Sequence, residues 1–184
     1  MSETPSDNLL LRAQRGEPGA FEQFYERFHE GIFRFLYYRL GNQQAAEDLT
    51  AETFLRLVKA LPDYRPMGIS PSAWAYQIAR NLAVDYFRKE RVRSEVMLDD
   101  QLIAGDEDPP AETERRLTQV ELLKALERLG EDQREVIVMR FVSGLPLSET
   151  ARALNRSEDA VKGLQHRALL ALRRFFTDEE VKGV

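Results

Sequence analysis

Residues 147-LSETARALNRSEDAVKGLQHR-167 decide the fold of the C-terminal half. They contain two short segments with apolar residues at helical spacing, one on each side of a turn. Ala151 is small enough to let two helices approach closely near that turn. Asn155 tolerates the left-handed backbone conformation better than most residues other than glycine, and Ser157 is a typical N-cap for the following helix. The stretch therefore predicts a helix-turn-helix.

The second helix of this motif has an apolar face and a polar face. Val161 and Leu164 point inward, and the outward side chains are Lys162, Gln165, His166 and Arg167. In a helix-turn-helix the second helix enters the major groove of DNA. A plain helical hairpin has the same apolar spacing, but the turn residue, the cap and the basic outer face together favour DNA binding.

Apolar residues at three- and four-residue steps predict helices along most of the remaining chain. These helices are Phe21–Leu40, Asn42 to about Leu61, one starting at Ser70-Pro71, one starting at about Arg115, and roughly Asp132–Ser143, Leu147–Leu154 and Glu158–Phe176. No stretch alternates between apolar and polar residues as a half-buried strand does. The sequence predicts an all-α fold made of two small helical bundles.

Between the two predicted bundles the periodicity fades and acidic side chains concentrate. The stretch contains Gly105, Pro109 and Pro110, and most of its charged residues are aspartate or glutamate. Such a composition cannot bury enough apolar surface to fold by itself. We predict a flexible acidic linker at residues 93–114, between domains at 8–92 and 115–176.

The overall composition is that of a globular protein, with 43% hydrophobic and 31% charged residues. No apolar run approaches the roughly 20 residues that cross a bilayer, so we expect no membrane insertion. The chain has no cysteine, and His29 and His166 lie far apart, so we expect no metal and no cofactor. The first residues lack the basic and apolar segments of a signal peptide, which predicts a cytoplasmic protein.

The third predicted helix carries aromatic and basic side chains together. Stacking rings and guanidinium groups are the features that single-stranded DNA binding uses. The rings of Trp74 and Tyr86 can also belong to the core, an interpretation that is favoured for Tyr86 and left open for Trp74. Arg80, Asn81 and Arg88 lie off the core stripe, which favours a ligand-facing role, and Asn81 can form paired hydrogen bonds with a base edge.

Three stretches in a fixed order resemble a known family. They are 46-AEDLTAETFLRL-57, 73-AWAYQIARNLAVDYFRK-89 and 132-DQREVIVMRF-141, the last followed by the helix-turn-helix. In this order the chain resembles the extracytoplasmic-function sigma factors of bacterial RNA polymerase, from about Phe21 to Phe176. The resemblance implies a promoter-specificity subunit that binds core RNA polymerase and promoter DNA and directs promoter recognition, DNA melting and transcription initiation.

The resemblance also implies roles for individual residues. A surface on the second predicted helix would dock on the clamp of the polymerase: Asp48, Leu49, Glu52, Phe54 and Arg56. The third helix, with the loop Tyr64–Ser70, would melt the minus-ten element and hold a flipped base: Tyr64, Trp74, Arg80, Asn81, Arg88 and Lys89. The recognition helix and its turn would contact the minus-thirty-five element: Arg156, Ser157, Lys162, His166 and Arg167.

The chain departs from the family pattern at two places. Gly130 stands where a proline is usual, and the usual Ser-Arg-Leu-His-Arg-Ala is here Gly163-Leu164-Gln165-His166-Arg167-Ala168. Leu164 thus replaces an expected arginine, which puts base contacts at that position in question. Factors of this type are often held inactive by an anti-sigma factor, in response to a stress or envelope signal, and the resemblance implies such a partner here.

The net charge of −5 argues against a protein that binds DNA tightly alone. A sigma factor need not do so, because the polymerase supplies most contacts and the tether raises the effective concentration of each module. The alternative is a stand-alone helix-turn-helix repressor or activator, which would bind DNA without polymerase, usually as a symmetric dimer. No phosphate-binding glycine loop, nucleophile elbow or metal cluster indicates an enzyme.

Overall fold

In a computed structural model, which describes residues 5–65, 69–96 and 113–182, all regular elements are helical. The N-terminal half contains α1 (Pro5–Gln14), α2 (Ala20–Leu40), α3 (Gln43–Ala60), a 3-10 turn (Leu61–Asp63) and α4 (Pro71–Val96). The C-terminal half contains α5 (Thr113–Glu127), α6 (Glu131–Ile137), a π-helical turn (Val138–Val142), α7 (Leu147–Ala153) and α8 (Glu158–Lys182). The predicted all-α fold is confirmed. Residues 97–112 of the predicted linker and 66–68 of the predicted loop lie outside the described residues.

The N-terminal bundle is built around the aromatic and aliphatic stripe of α2. Phe24, Ile32 and Phe35 on this helix have no exposed surface. Helix α3 begins where predicted, because the Asn42 side chain accepts a hydrogen bond of 2.8 Å from the Ala45 N–H. Helix α4 begins in the same way, since the hydroxyl of Ser70 accepts a hydrogen bond of 3.2 Å from the Ala73 N–H.

Helix α1 is an element that the sequence analysis did not predict. Its Leu9 and Leu10 are buried against the bundle. The side-chain amide of Gln14 donates to the carbonyl oxygens of Leu61 (3.0 Å) and Tyr64 (2.8 Å), which fixes the start of the loop before α4. Its leucines are consecutive rather than spaced by three or four residues, so periodicity gave no signal.

The helix-turn-helix has the geometry that its residues predict. Asn155 adopts a left-handed conformation with φ of 52°. The hydroxyl of Ser157 accepts a hydrogen bond of 3.2 Å from the Ala160 N–H and so caps α8. Ala151 and Val161 are buried where α7 packs on α8. Local conformational preference and packing therefore agree in this motif.

The two bundles pack against each other, a contact that the sequence analysis did not anticipate. Helix α2 touches the π-helical turn, α4 touches α7, and the buried apolar residues of both bundles form one cluster. At the seam the carboxylate of Glu135 lies between the guanidinium groups of Arg39 and Arg80. A charge pattern along one helix does not name a partner on a distant helix, so this contact had no signal in the sequence.

The backbone at Asn155 provides a test of the motif. Asn155→Gly should leave the free energy of unfolding almost unchanged, because glycine adopts a positive φ freely. Asn155→Val should lower it by about 1–2 kcal/mol, because a β-branched side chain tolerates the left-handed region much less well than asparagine does. Urea unfolding followed by circular dichroism measures both values, and equal stabilities of the two variants would contradict the assignment.

Candidate nucleic-acid interface

Helix α4 presents a polar face to solvent beside its buried stripe. Ala75, Ala79 and Ala83 are fully buried against the N-terminal bundle. Asn81, Arg88 and Lys89 are exposed, and residues seven and eight positions apart lie on one face of a helix. Arg88 is 74% exposed and its ion pair of 3.0 Å with Asp85 lies at the surface, so its charge is available to a ligand.

Tyr64 and Trp74 form a stacked pair at the start of α4. Their ring centroids lie 4.7 Å apart with an interplanar angle of 22°. Tyr64 is buried and Trp74 is partly exposed. The prediction that Tyr64 itself contacts DNA does not fit this placement, because stacking hides its ring. Tyr64 instead holds the ring of Trp74 in place by stacking, and Trp74 is the member of the pair with accessible ring surface.

Arg80 was predicted to face a ligand, but in the structure its side chain is paired with a carboxylate. Its Nε lies 3.0 Å from both carboxylate oxygens of Glu135, whose side chain is 1% exposed. One turn earlier, the side-chain amide of Gln77 donates to the carbonyl oxygen of Arg152 at 2.9 Å. The C-terminal bundle thus covers part of the face that was predicted to bind DNA.

The predicted polymerase surface on α3 is largely accessible. Asp48 and Arg56 are exposed, and Leu49 is partly exposed. The Arg56 side chain bonds to Glu52 at 2.8 Å, and this hydrogen bond holds the pKa of the Glu52 carboxyl below its usual value. The carboxylate therefore keeps its charge to a lower pH than an unpaired glutamate would.

Phe54 is the exception among the predicted polymerase contacts. It is 4% exposed and packs edge-on against Tyr25, with ring centroids 4.7 Å apart, so it belongs to the core. Leu55 and Val58 are 47% and 46% exposed on the same helix. Neither Leu55 nor Val58 was among the predicted polymerase contacts, although together they form an exposed apolar pair on α3.

The recognition helix exposes most of the side chains predicted to contact DNA. Lys162, His166 and Arg167 are exposed on α8. Arg156 is also accessible and forms a surface ion pair of 2.7 Å with Asp132. Ser157 is exposed, although its hydroxyl already caps α8.

Two family models match this chain, one over each bundle. Sigma-70 region 2 matches residues 24–93, and Sigma-70, region 4 matches residues 125–174. The ECF RNA polymerase sigma factor BldN of Streptomyces coelicolor is 39% identical over 93% of this chain, which spans 66% of that protein. The ECF RNA polymerase sigma factor SigX of Bacillus subtilis is 33% identical over 84% of this chain and 82% of its own length.

The chain belongs to the ECF RNA polymerase sigma factors. Family membership confirms the predicted role in transcription initiation and the prediction that the protein is not an enzyme. The solved sigma factor RpoE, in complex with the anti-sigma factor NepR from Bartonella quintana, has the same fold. Its TM-score is 0.68 at 24% identity, over 86% of this chain and 98% of that one.

The residues that the structure describes lack two features, a membrane-spanning helix and a cluster of metal ligands. None of their helices has the length and apolar character that crossing a bilayer demands. Within the same residues, no three histidine or carboxylate side chains are grouped as metal ligands would be.

The departure of this sigma factor from the family pattern at residue 164 has a structural explanation. Leu164 is 8% exposed and fills the inward position of α8. Gln165, where the family usually has leucine, is partly exposed and accepts a hydrogen bond of 3.2 Å from Nε of Arg140. The side chain at 164 therefore packs in the core and does not face a DNA groove.

The inward placement of Leu164 predicts how variants that restore the usual family residues will behave. Leu164→Arg should lower the free energy of unfolding by about 2–4 kcal/mol, because it removes a buried side chain and introduces a charge. The double variant Leu164→Arg with Gln165→Leu should recover most of that loss, since leucine at 165 can supply the inward side chain. Thermal unfolding measures both variants. An equally stable single variant would contradict the inward placement.

Proposed function

We propose that this sigma factor binds core RNA polymerase and promoter DNA through domains at residues 8–92 and 115–176, joined by an acidic linker at 93–114. The observation that carries the proposal is the presence, in one chain, of an exposed amide and cationic face on α4 and of a helix-turn-helix with a basic outer face. A stand-alone regulator needs only the second feature. We assign the protein to the cytoplasm, where RNA polymerase acts.

The face of α4 suits a DNA strand that has been opened. The amide of Asn81 can donate and accept hydrogen bonds with one base edge, and Arg88 and Lys89 can neutralise the backbone. The partly exposed ring of Trp74 offers a surface on which a base can stack. Unstacking a base costs a few kcal/mol, which these contacts can offset.

The face of α8 suits duplex DNA. Lys162, His166 and Arg167 lie within two turns of the helix, as required for contacts along one stretch of a major groove. Arg156 and Ser157 precede the helix, where side chains reach the phosphates beside the groove. We assign these five residues to the minus-thirty-five element.

The exposed surface of α3 suits a polymerase subunit. Asp48, Glu52 and Arg56 supply charges, and the partly exposed Leu49 supplies apolar contact. We add Leu55 and Val58 to this surface because both are half exposed. Phe54 supports the surface from the core.

We also propose an anti-sigma partner, which would hold the factor inactive until a stress or envelope signal arrives. The support is the fold shared with RpoE, whose solved structure is a complex with the anti-sigma factor NepR. Such a partner must cover surfaces that polymerase or promoter DNA would otherwise bind.

Reconstitution tests the proposal directly. The purified protein added to core RNA polymerase should give promoter-dependent RNA synthesis, and transcripts after overproduction in cells should identify the promoters. If the protein does not bind core polymerase at low salt, the proposal fails. Sequence-specific footprinting of duplex DNA by a symmetric dimer without polymerase would indicate a stand-alone regulator instead.

The melting function predicts a selective defect for Asn81→Ala. Open-complex formation should fall about tenfold or more, because a paired amide–base contact is worth about 1–3 kcal/mol. Binding to core polymerase should not change. Permanganate reactivity of the melted strand measures the first quantity, and a binding titration measures the second.

The matched control is Gln23→Ala, which removes an exposed amide from α2. It should change neither open-complex formation nor polymerase binding. Equal loss of polymerase binding and melting in Asn81→Ala would argue against the assigned role. Trp74→Ala should behave like Asn81→Ala in function, with an additional loss of stability because its ring stacks on Tyr64.

The polymerase surface predicts the opposite selectivity. Reversing two charges, with Asp48→Lys and Glu52→Lys together, should weaken binding to core polymerase at least about tenfold, because like charges face each other across the interface. The fold should persist, since exposed ion pairs contribute only about 0–1 kcal/mol. Glu22→Lys with Glu26→Lys, both exposed on α2, is the charge-matched control and should bind normally. Equal losses in the two double variants would refute a specific α3 surface.

A further inference from the structure

The side chain of Gln14, at the end of α1, contacts the chain where α3 gives way to the loop before α4. Its amide nitrogen Nε2 lies 3.0 Å from the carbonyl oxygens of Leu61 and Pro62 and 2.8 Å from the carbonyl oxygen of Tyr64. Because a carbonyl oxygen only accepts hydrogen bonds, the group that faces three of them must be a donor. The nitrogen of the amide, and not its oxygen, therefore points at the turn.

These carbonyl groups belong to a helix end. The last carbonyls of an α-helix have no partner within the helix, and after α3 the chain continues as the 3-10 turn Leu61–Asp63. The Tyr64 N–H donates a hydrogen bond of 3.1 Å to the carbonyl oxygen of Leu61 and so closes that turn. Gln14 supplies further donors to the same turn from a different helix. It thereby fixes the point at which the chain leaves α3.

Helix α1 is itself well anchored, so it can hold this turn in place. Leu9 and Leu10 are buried, and α1 packs against α2, α4 and the 3-10 turn. After the helix, a hydrogen bond of 2.8 Å from Nε of Arg12 to the carboxylate of Glu17 ties down the connection to α2. Gln14 thus lies on a fixed element, and its hydrogen bonds transmit that position to the residues before α4.

The contacts of Gln14 continue to the indole ring that we assign to the minus-ten element. Tyr64 receives the shortest of the three hydrogen bonds at its carbonyl oxygen, and its buried ring stacks on the ring of Trp74 with centroids 4.7 Å apart. A displacement of the Tyr64 backbone would therefore move the ring that supports Trp74. Small displacements of a group that positions a ligand can cost large factors in rate or affinity.

We infer that Gln14 is a positioning residue for promoter melting, which holds Tyr64, and through it the ring of Trp74, in the place that a flipped base needs. This inference rests on the proposed minus-ten role of Trp74. Gln14 acts through Tyr64 and does not itself touch the base. Its loss should change how well the base is held and should leave binding to core polymerase unaltered.

Three substitutions of Gln14 separate hydrogen bonding from shape and charge. Gln14→Glu keeps the size but turns a carboxylate toward three carbonyl oxygens, so the side chain should leave the turn. Gln14→Met is neutral and of similar length but has no donor. Gln14→Lys has three N–H donors and a positive charge that suits the carbonyl end of a helix, so it should restore the contacts. The matched control is Gln23→Glu, which makes the same change at an exposed residue of α2.

Fluorescence tests the positioning in the free protein, because Trp74 is the only tryptophan of the chain. Acrylamide should quench Trp74 about twofold more strongly in Gln14→Glu and Gln14→Met, since a displaced Tyr64 uncovers one face of the indole. Gln14→Lys and Gln23→Glu should be quenched like the original chain. Unchanged quenching in both variants that lack a donor would overturn the inference.

Promoter templates that lack a single base test the melting step. A scan of abasic nucleotides through the minus-ten element should find one position where the original chain loses open complexes about tenfold, because a base stacked on an aromatic ring is worth about 1–3 kcal/mol. With Gln14→Glu the same missing base should cost less than about threefold, since the base is no longer held. Gln14→Lys and Gln23→Glu should keep the tenfold dependence.

A merely structural role for Gln14 would give a different pattern. Gln14→Glu would then lose open complexes by the same factor on intact and abasic templates, and this result would overturn the inference. Binding of each variant to core polymerase should stay within about twofold of the original, because the changes lie outside the proposed α3 surface. If circular dichroism shows that Gln14→Glu has lost helix, the neutral Gln14→Met carries both tests.

The failure of this inference can be distinguished from failure of the proposed function. An original chain that activates core polymerase, but whose Trp74 quenching and base dependence do not respond to the substitutions of Gln14, refutes only the positioning role. A chain whose Trp74 quenching follows the presence of a donor at residue 14, but which does not bind core polymerase, refutes only the proposed function.

Discussion

The buried carboxylate of Glu135 fixes how the two halves of this protein fit together. Removing a charge from water is costly, and the cost is offset only where partners of opposite charge are held in the right places. Here the partners are Arg39 on α2 and Arg80 on α4, so both helices must be in register with α6 at once. Apolar surfaces can slide over one another, whereas this triad is satisfied in a single docked arrangement. The apolar cluster supplies attraction, and the triad supplies the register.

Because of this arrangement, three parts of the surface of α4 have different surroundings. Its alanine stripe packs inside the N-terminal bundle, Gln77 and Arg80 bond to the C-terminal bundle, and Asn81, Arg88 and Lys89 remain in solvent. The solvent face and the bonded face are adjacent on one rigid element. Any ligand that spans both faces must therefore compete with the C-terminal bundle for the side chains of Gln77 and Arg80.

The sequence predicted those features that are encoded locally. Helix starts at Asn42 and Ser70 and the left-handed turn at Asn155 follow from the conformational preferences of single residues, and the structure confirms them. Burial of Tyr64 was not predictable in this way, because an aromatic residue near a functional motif serves equally as core or as contact. The partner of Arg80 was beyond sequence reasoning, since 55 residues separate it from Glu135.

The net charge and the ion pair between Arg80 and Glu135 act in the same direction on the free protein. A chain with a net charge of −5 is repelled by DNA over roughly the 8–10 Å Debye length of physiological salt, and the carboxylate of Glu135 also offsets the positive charge of Arg80 on α4. Neither effect prevents binding when both bundles are held on one larger enzyme, because the attachment raises the effective concentration of each bundle at the DNA. The factor is then selective for promoters only as part of the larger enzyme. Because each bundle binds DNA weakly by itself, promoter selection depends on the attachment to polymerase. A free factor with a strongly basic exposed face would bind nonspecific DNA instead.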